Sequence, residues 1–146
     1  YYANVARAFA KGVEAVGRVA IGDRVSLDAN YSWVASEDRS PGAVPQQLIR
    51  RPRHTANASA NYAFPDDGPS FGAAVRWSGE SFDNDTNFER ARLSPYTLVD
   101  ARAELPLSPN VRVFVRAENL FDESYRTIFT YGTLGRSIYA GLRGRF

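Results

Sequence analysis

The sequence predicts an all-β protein, built as an antiparallel meander of about seven or eight strands that cross a membrane. Three observations predict this fold. Apolar and polar residues alternate along most of the chain, short turns alternate with long connections, and no apolar run approaches the roughly 20 residues that a membrane helix needs. Because side chains alternate between the two faces of a strand, each strand has one apolar face and one polar face.

The alternation is clearest in residues 24–33, where every odd position is apolar or aromatic and every even position is polar. The pattern recurs in six further segments, at 12–21, 53–64, 71–80, 97–105, 111–118 and 137–146. Most of these segments have the length of about 9–11 residues that crosses a bilayer when a strand is tilted. Phe114 is an exception, because it falls on the polar face of its segment.

The connections between these segments differ in length. Short turns rich in Gly, Pro, Asp and Asn lie at 22–23, 65–69 and 106–110. Long links lie at 36–52, 82–95 and 121–136. This layout is typical of outer-membrane barrels, whose short turns face the periplasm and whose long loops face the outside.

A soluble antiparallel sandwich is an alternative with the same alternation. Two observations favour the membrane barrel over it. The apolar face is rich in Ala, as at Ala56, Ala58 and Ala60, and such a face would fill a protein core poorly. The aromatic residues of the apolar face cluster at the two ends of the strands, as in the girdles at membrane interfaces. They are Tyr31, Trp33 and Trp77 at one end, and Tyr62, Phe64, Phe71 and Phe146 at the other.

Composition excludes several classes of function. The 18 Lys and Arg residues nearly balance the 16 Asp and Glu residues, and no basic run suggests a nucleic-acid interface. The absence of Cys excludes thiol catalysis and thiolate metal sites. His54, the single histidine, falls on the apolar face near a strand end, which indicates an interfacial residue and not a base for hydrolysis. The sequence therefore predicts neither an enzyme nor a resident cofactor.

The segment from Glu118 to Arg126, with the sequence ENLFDESYR, resembles the N-L-F-D-x-x-Y signature near the end of TonB-dependent receptors. The stretch from Tyr131 to Arg136 and a last strand that ends in an aromatic residue follow in the family's order. The segment Lys11-Gly12-Val13-Glu14 is similar to the family's K-G-x-E at the start of a barrel strand. The whole run is most similar to the cobalamin and siderophore branch of this family.

The resemblance implies a Gram-negative outer-membrane receptor with a barrel of about 22 strands and a plug in its lumen. It implies that substrate binds at the outer loops and that energy arrives through TonB, which contacts a segment before the plug. Residues 1–146 contain neither plug nor TonB-contact segment, so we expect a single partial barrel domain, the C-terminal fragment of such a receptor. Its expected role is to form wall and vestibule for uptake of cobalamin, an iron–siderophore or a similar large nutrient.

Two alternatives stay open on the sequence. One is a self-contained small barrel of about eight strands with a structural or adhesive role, and the other is the soluble sandwich acting as a binding module. An isolated arc of sheet would leave two strand edges unpaired. We therefore expect either an open curved sheet or a smaller closed barrel.

The signature motif has a structural interpretation. Asn119 and Asp122 are of the types that bond local backbone where a strand passes into a loop. Leu120, Phe121 and Tyr125 are predicted to pack the same corner. The end of the chain also resembles the signal that the outer-membrane assembly machinery reads, with Gly141 and the terminal Phe146 as its residues.

Candidate ligand contacts lie in the long links. Arg50 and Arg51 are placed to contact an anionic ligand or lipopolysaccharide phosphates, or else are solvated charges near the membrane surface. Phe129 and Tyr131 are candidates to stack on a ligand or to pack within their own loop. Each pair keeps both interpretations on sequence alone.

The run from Asp83 to Asn87 begins like a calcium-binding loop. As an EF-hand it fails, because Phe88 stands where Gly is needed and Ser94 stands where the bidentate Glu belongs. A looser Ca²⁺ site at Asp83 and Asp85 remains a hypothesis, since outer loops of the family the chain resembles bind calcium. The alternative is a solvated polar loop.

Overall fold

A computed structural model describes residues 7–42 and 44–145, and these residues form ten β-strands. Seven long strands form the sheet: β1 (Ala8–Ile21), β2 (Val25–Asp38), β4 (His54–Ala63), β5 (Ser70–Ser78), β8 (Tyr96–Ser108), β9 (Val111–Glu118) and β10 (Ser137–Gly144). Three short strands lie in the long connections: β3 (Gln46–Gln47), β6 (Ser81–Asn84) and β7 (Arg90–Leu93). In the described part of the chain, no helix is long and apolar enough to cross a bilayer.

The long strands pair as an antiparallel meander in the order β1-β2-β4-β5-β8-β9-β10, while β3 pairs with the end of β2 and β6 pairs with β7 in a separate hairpin. The predicted all-β meander is confirmed. Each of the seven predicted segments overlaps one long strand. Three strands run further than predicted: β1 begins at Ala8, β2 ends at Asp38 and β8 ends at Ser108. Their ladders continue there because strand pairing uses backbone groups, which need no side-chain alternation.

Strand register joins the apolar faces into continuous rows. One row crosses all seven long strands through residues that are each other's cross-strand partners. Its members are Val19, Leu27, Ala60, Ala73, Ala101, Ala117 and Ile138. The row stays open to the surroundings, as the exposed fractions of 38% for Leu27 and 70% for Ile138 show.

The sheet has no dry apolar interior. Among the residues described, the buried hydrophobic side chains are Leu93 and Leu98, and both lie beside the long connections. The sandwich alternative is therefore wrong, because no second layer covers the apolar face. Nor do the described strands close a small barrel, since β1 and β10 stand at the two edges of the sheet. Of the two expected outcomes, the chain adopts the open sheet.

Aromatic side chains mark both ends of the apolar face. At the short-turn end, the rings of Tyr62 and Phe64 meet edge to face at 4.8 Å, and Phe71 packs on Phe64 at 6.1 Å. At the opposite end, the Tyr31 hydroxyl lies 2.7 Å from Nδ1 of His54. His54 therefore has a polar partner at the interface, the position that its place in the alternation predicts.

Two glycines of the polar face make room for larger neighbours. Arg102 crosses Gly72 and donates from Nη2 to Oδ1 of Asn61 at 2.6 Å, and a Cβ on Gly72 would lie 2.6 Å from Nε of Arg102. Phe114 and Gly141 are cross-strand partners, and a Cβ on Gly141 would lie 2.7 Å from Cζ of Phe114. The exceptional Phe114 thus lies over a glycine, an arrangement known to stabilise glycine in sheets.

The short turn between β4 and β5 is also secured from the polar face. Asp66 and Asp67 both adopt positive φ, at 55° and 54°, and the N–H of Gly68 donates to the carbonyl of Pro65 at 3.0 Å. Two left-handed central residues are typical of the hairpin turn whose twist matches the flanking strands. Arg112 then donates to the carbonyls of Asp67 and Gly68 at 2.9 and 2.7 Å.

Arginine substitution tests which face meets lipid. Ala58 lies on the apolar face beside Ala29 and Val75, and its neighbour Ser59 lies on the polar face beside Asp28. We expect Ala58→Arg to lower the free energy of unfolding by about 2–4 kcal/mol, because a cation would enter the bilayer near its midplane. Urea unfolding of the full-length protein refolded into lipid vesicles measures this loss.

Ser59→Arg is the matched control and is expected to change the free energy of unfolding by less than about 1 kcal/mol. A larger loss for Ser59→Arg than for Ala58→Arg would show that the two faces are oriented the other way.

Candidate functional site

All three long connections leave the same end of the sheet, because consecutive strands of a meander alternate in direction. These connections are residues 39–53, 79–95 and 119–136. The second of them, predicted as a long link at 82–95, contains the β6–β7 hairpin. Together they form the candidate functional site. The candidate ligand contacts Arg50, Arg51, Phe129 and Tyr131 all lie in these connections.

The first connection and the hairpin are joined by arginines. The N–H of Arg50 donates to the carbonyl of Phe82 at 2.6 Å. In return, Arg90 of the hairpin donates from Nη2 to the carbonyl of Gln47 at 2.9 Å, and its guanidinium lies 4.1 Å from the centre of the Phe82 ring. A backbone hydrogen bond and a charge-assisted bond therefore join the two connections, while the cation–π contact lies within the hairpin and holds Arg90 against Phe82.

Asp83 is the point where all three connections meet. Its side chain is 1% exposed. Oδ1 accepts hydrogen bonds from Nε of Arg50 and from the N–H of Asn84, both at 2.9 Å. Oδ2 accepts the N–H of Phe129 at 2.8 Å. Between the fully described segments 79–95 and 119–136, this bond to Phe129 is the only hydrogen bond.

The surroundings of Asp83 keep it ionised. Burial acts to raise its pKa, but the N–H of Phe129, the guanidinium of Arg50 and the N–H of Asn84 outweigh burial, so the pKa lies below its ordinary value. Hydrogen-bond donors and a nearby cation favour the charged form of a carboxyl group. The buried carboxylate is thus matched by three donors, which is the condition for a buried charge to be tolerated.

The four candidate ligand contacts fall in different places. Arg50 and Phe129 are brought together through Asp83 and serve the internal structure of the loops. Arg51 is exposed, and its carbonyl accepts a hydrogen bond from Nε2 of Gln47 at 2.6 Å. Tyr131 is 67% exposed. The side chains of Arg51 and Tyr131 are therefore exposed and not bound by Asp83, whereas the side chain of Arg50 is 51% exposed and is paired with Asp83.

The two carboxylates of the predicted Ca²⁺ site take protein donors. Oδ1 of Asp85 accepts the N–H groups of Asn87 and Glu89, each at 2.8 Å, and so caps the turn of the hairpin. Asp83 is occupied by its own three donors. Within residues 7–42 and 44–145, no group of three or more acidic or histidine side chains could hold a metal ion. The Ca²⁺ site stays a prediction.

The signature motif closes the base of the last connection. Asn119 is 5% exposed and adopts a positive φ of 50°. Its Nδ2 donates to the carbonyl of Glu123 at 2.9 Å, and its Oδ1 accepts the N–H of Glu123 at 2.8 Å. The N–H of Asn119 donates to Oδ1 of Asp100 at 3.0 Å, which fixes the corner to β8.

The other polar motif residue spans the same loop. Oδ1 of Asp122 accepts the N–H of Arg136 at 2.7 Å and so joins the two ends of the connection. The ring of Tyr125 packs on Tyr96 at 4.5 Å, and the N–H of Leu120 donates to the carbonyl of Val99 at 2.7 Å. These contacts make the motif a closure of the loop.

Phe121 corrects the expectation for this corner. It was predicted to pack there with Leu120 and Tyr125, but its side chain is 74% exposed. The polar residues Asn119 and Asp122 fill the inside of the corner with hydrogen bonds, so the ring of Phe121 is left outside.

Of the two residues of the predicted assembly signal, Gly141 lies in β10 beneath the ring of Phe114. Phe146 lies outside the described residues. Sequence reasoning missed Arg90 and Gln47, because neither belongs to a periodic segment or a motif. The acidic run at 83–85 did point to Asp83, although as a metal ligand and not as the centre of the loops.

Removal of the Asn119 side chain tests the role of the motif. Asn119→Ala removes two hydrogen bonds to the backbone of Glu123 from a part-buried corner, so we expect a loss of about 1–3 kcal/mol in unfolding free energy. Faster proteolysis within residues 119–136 of the full-length protein would accompany that loss. Glu123→Ala is the control, because the corner uses only the backbone of Glu123. Equal effects of the two substitutions would contradict the assigned role.

The bonds to Asp83 predict how acid affects the connections. A carboxyl group whose pKa is lowered by folding contributes stability above its unfolded pKa of about 4 and loses it as the pH falls through the folded value. Protection of the Phe129 amide from hydrogen exchange, normalised to its intrinsic rate, should be constant from about pH 8 to about pH 5 and should fall only below about pH 4. A fall between pH 7 and pH 5 would contradict this origin.

Comparison with known proteins agrees with the geometry. Residues 1–120 match the family model described as TonB dependent receptor-like, beta-barrel. The chain is 30% identical over 143 residues to the vitamin B12 transporter BtuB of Photobacterium profundum, covering 98% of this chain and 22% of that protein. It is 30% identical over 110 residues to the metal-pseudopaline receptor CntO of Pseudomonas aeruginosa, covering 70% of this chain and 15% of that protein.

Solved structures share the fold. The ferric-catecholate import receptor Fiu of E. coli superposes with a TM-score of 0.80 at 19% identity, covering 94% of this chain and 21% of that one. The ferripyoverdine receptor of the outer membrane of P. aeruginosa gives 0.77 at 22% identity, covering 94% and 19%. The chain thus spans about a fifth of the length of these proteins. It belongs to the TonB-dependent receptor family of outer-membrane transport proteins, as part of the β-barrel.

Proposed function

We propose that this chain forms part of the barrel wall and of the outer vestibule of a receptor for active uptake of cobalamin, an iron–siderophore or a similar large nutrient. The 30% identity to a vitamin B12 transporter over 98% of the chain supports this substrate class. The receptor named for metal-pseudopaline supports the wider range. In this role the chain binds and guides a substrate and catalyses no reaction.

The observation that carries the proposal is the open sheet with two different faces. Both edge strands, β1 and β10, expose backbone groups that lipid cannot satisfy, so further strands of the full-length protein must pair with them. The apolar face then meets lipid, and the polar face lines a lumen. Because the three long connections share one end, they form one continuous rim above that lumen.

The ligand-contact surface we propose lies on this rim. Tyr131 offers an exposed ring to a large ligand, and Phe129 supports the same turn. Arg51 offers an exposed cationic side chain to an anionic ligand or to lipopolysaccharide phosphates, and Arg50 lies beside it in a bond to Asp83. A Ca²⁺ ion at Asp83 would compete for its carboxylate with the guanidinium of Arg50 and with the N–H groups of Asn84 and Phe129.

The partners we propose follow from the family. The TonB complex would act through a plug and a contact segment elsewhere in the full-length protein. The outer-membrane assembly machinery would read the last strand, with Gly141 and Phe146 as part of its signal. The packing of Phe114 over Gly141 gives that strand an ordered surface before the terminus.

Uptake by the full-length receptor tests the proposal. Cells that express it as their sole receptor of this class should accumulate radiolabelled vitamin B12 or a ⁵⁵Fe-loaded siderophore such as ferripyoverdine. Accumulation should fall to background on deletion of tonB or on addition of an uncoupler, because transport against a gradient needs energy. Binding of the same compound to the cell surface should persist in both cases.

Two results would contradict this function. Uptake that continues without TonB would indicate a passive pore. The absence of both binding and uptake for every large nutrient tested would favour a structural or adhesive barrel.

A further inference from the structure

The carboxylate of Asp83 is buried in the rim and not in the membrane wall. Its three donors come from three stretches of chain: Arg50 is 33 residues away, Phe129 is 46 residues away, and Asn84 is its neighbour. An ion pair that only stabilised the hairpin would not need the third donor. The bond to Phe129 therefore acts on the connection 119–136 and not on the hairpin.

Phe129 lies within a turn that carries Tyr131, an exposed aromatic residue of the rim. The N–H of Tyr131 donates to the carbonyl of Ile128 at 3.3 Å, so residues 128–131 form one tight turn. Asp83 holds this turn against the β6–β7 hairpin through the N–H of Phe129. The side chain of Tyr131 is then presented outward, with 67% of its surface exposed.

The base of the same connection is fixed separately. Asn119 and Asp122 close it at the strand ends, so loss of the bond to Asp83 would free the tip while the base stayed in place. If the tip is mobile before binding, it must become ordered when a ligand binds. The entropy lost in that ordering weakens the binding of the ligand.

We propose that Asp83 is a positioning residue, which holds the 128–131 turn in the conformation that binds ligand and so raises affinity without touching the ligand. This inference rests on the proposed function, since it assumes that the rim binds a large nutrient. Arg50 has a supporting part: its guanidinium keeps the carboxylate charged and aimed at the turn. Ligand and Asp83 thus favour the same loop conformation.

The substitution Asp83→Asn tests this role with a change of one group. An amide keeps one acceptor oxygen and places two N–H donors where the second oxygen was. The remaining oxygen is expected to stay with the two donors at Oδ1, so the amide nitrogen faces the Phe129 N–H and the bond to the turn is lost while the volume is kept. Asp85→Asn is the matched control, because Asp85 serves only the hairpin's own turn.

Order of the turn can be measured without any ligand. This chain contains no Cys, so spin labels at Thr86→Cys and Thr130→Cys in the full-length receptor report the distance between hairpin and turn. We expect one narrow distance distribution for the parent and for Asp85→Asn, and a broad one for Asp83→Asn. A narrow, unchanged distribution for Asp83→Asn would overturn the inference, whatever the receptor transports.

Affinity supplies the second measurement. For whichever of vitamin B12 and ferripyoverdine binds the parent, Asp83→Asn should raise Kd roughly tenfold or more through faster dissociation, and Asp85→Asn should leave it within about twofold. Saturating ligand should narrow the Asp83→Asn distribution again, which a misfolded loop would not do. A broad distribution with unchanged Kd would overturn the positioning role. Absence of binding by the parent would count against the proposed function, while the ligand-free distances still decide whether Asp83 orders the turn.

Discussion

The structure depends on one constraint: backbone groups inside a bilayer must find their hydrogen bonds within the protein. A β-sheet meets it only by pairing every strand on both sides, and pairing fixes register. In this chain the register of seven strands brings Leu27, Ala60 and Ala101 into one apolar row. Because the rows are continuous, one face can meet lipid without a break, and no apolar core is needed.

The opposite face carries the charged side chains of the strands, and these need hydrogen-bond or ion-pair partners along the sheet. At two places on this face a large side chain lies over a cross-strand glycine. These pairs are Arg102 over Gly72 and Phe114 over Gly141. The glycines lose packing of their own but let a neighbour lie flat against the wall.

The long connections act as one unit because buried polar groups link them. Asp83 lies at the centre of these links, because its one carboxylate accepts hydrogen bonds from three stretches of chain. Such a network is directional, so it can hold a turn such as 128–131 in one orientation while the outer surface stays free for a ligand. The signature motif at Asn119 fixes the other end of that connection in the same way.

The sequence by itself determined the class of fold, the strands and the family, because alternation with period two and the ENLFDESYR motif are local patterns. It also placed Asp122 and Asn119 at a corner. Only the tertiary structure decided that the sheet stays open, that Phe121 faces outward and that β6 and β7 form a hairpin. It alone brought Arg50, Asp83 and Phe129 together, since contacts between residues 33 and 46 positions apart depend on how the long connections fold against one another, which no local pattern encodes.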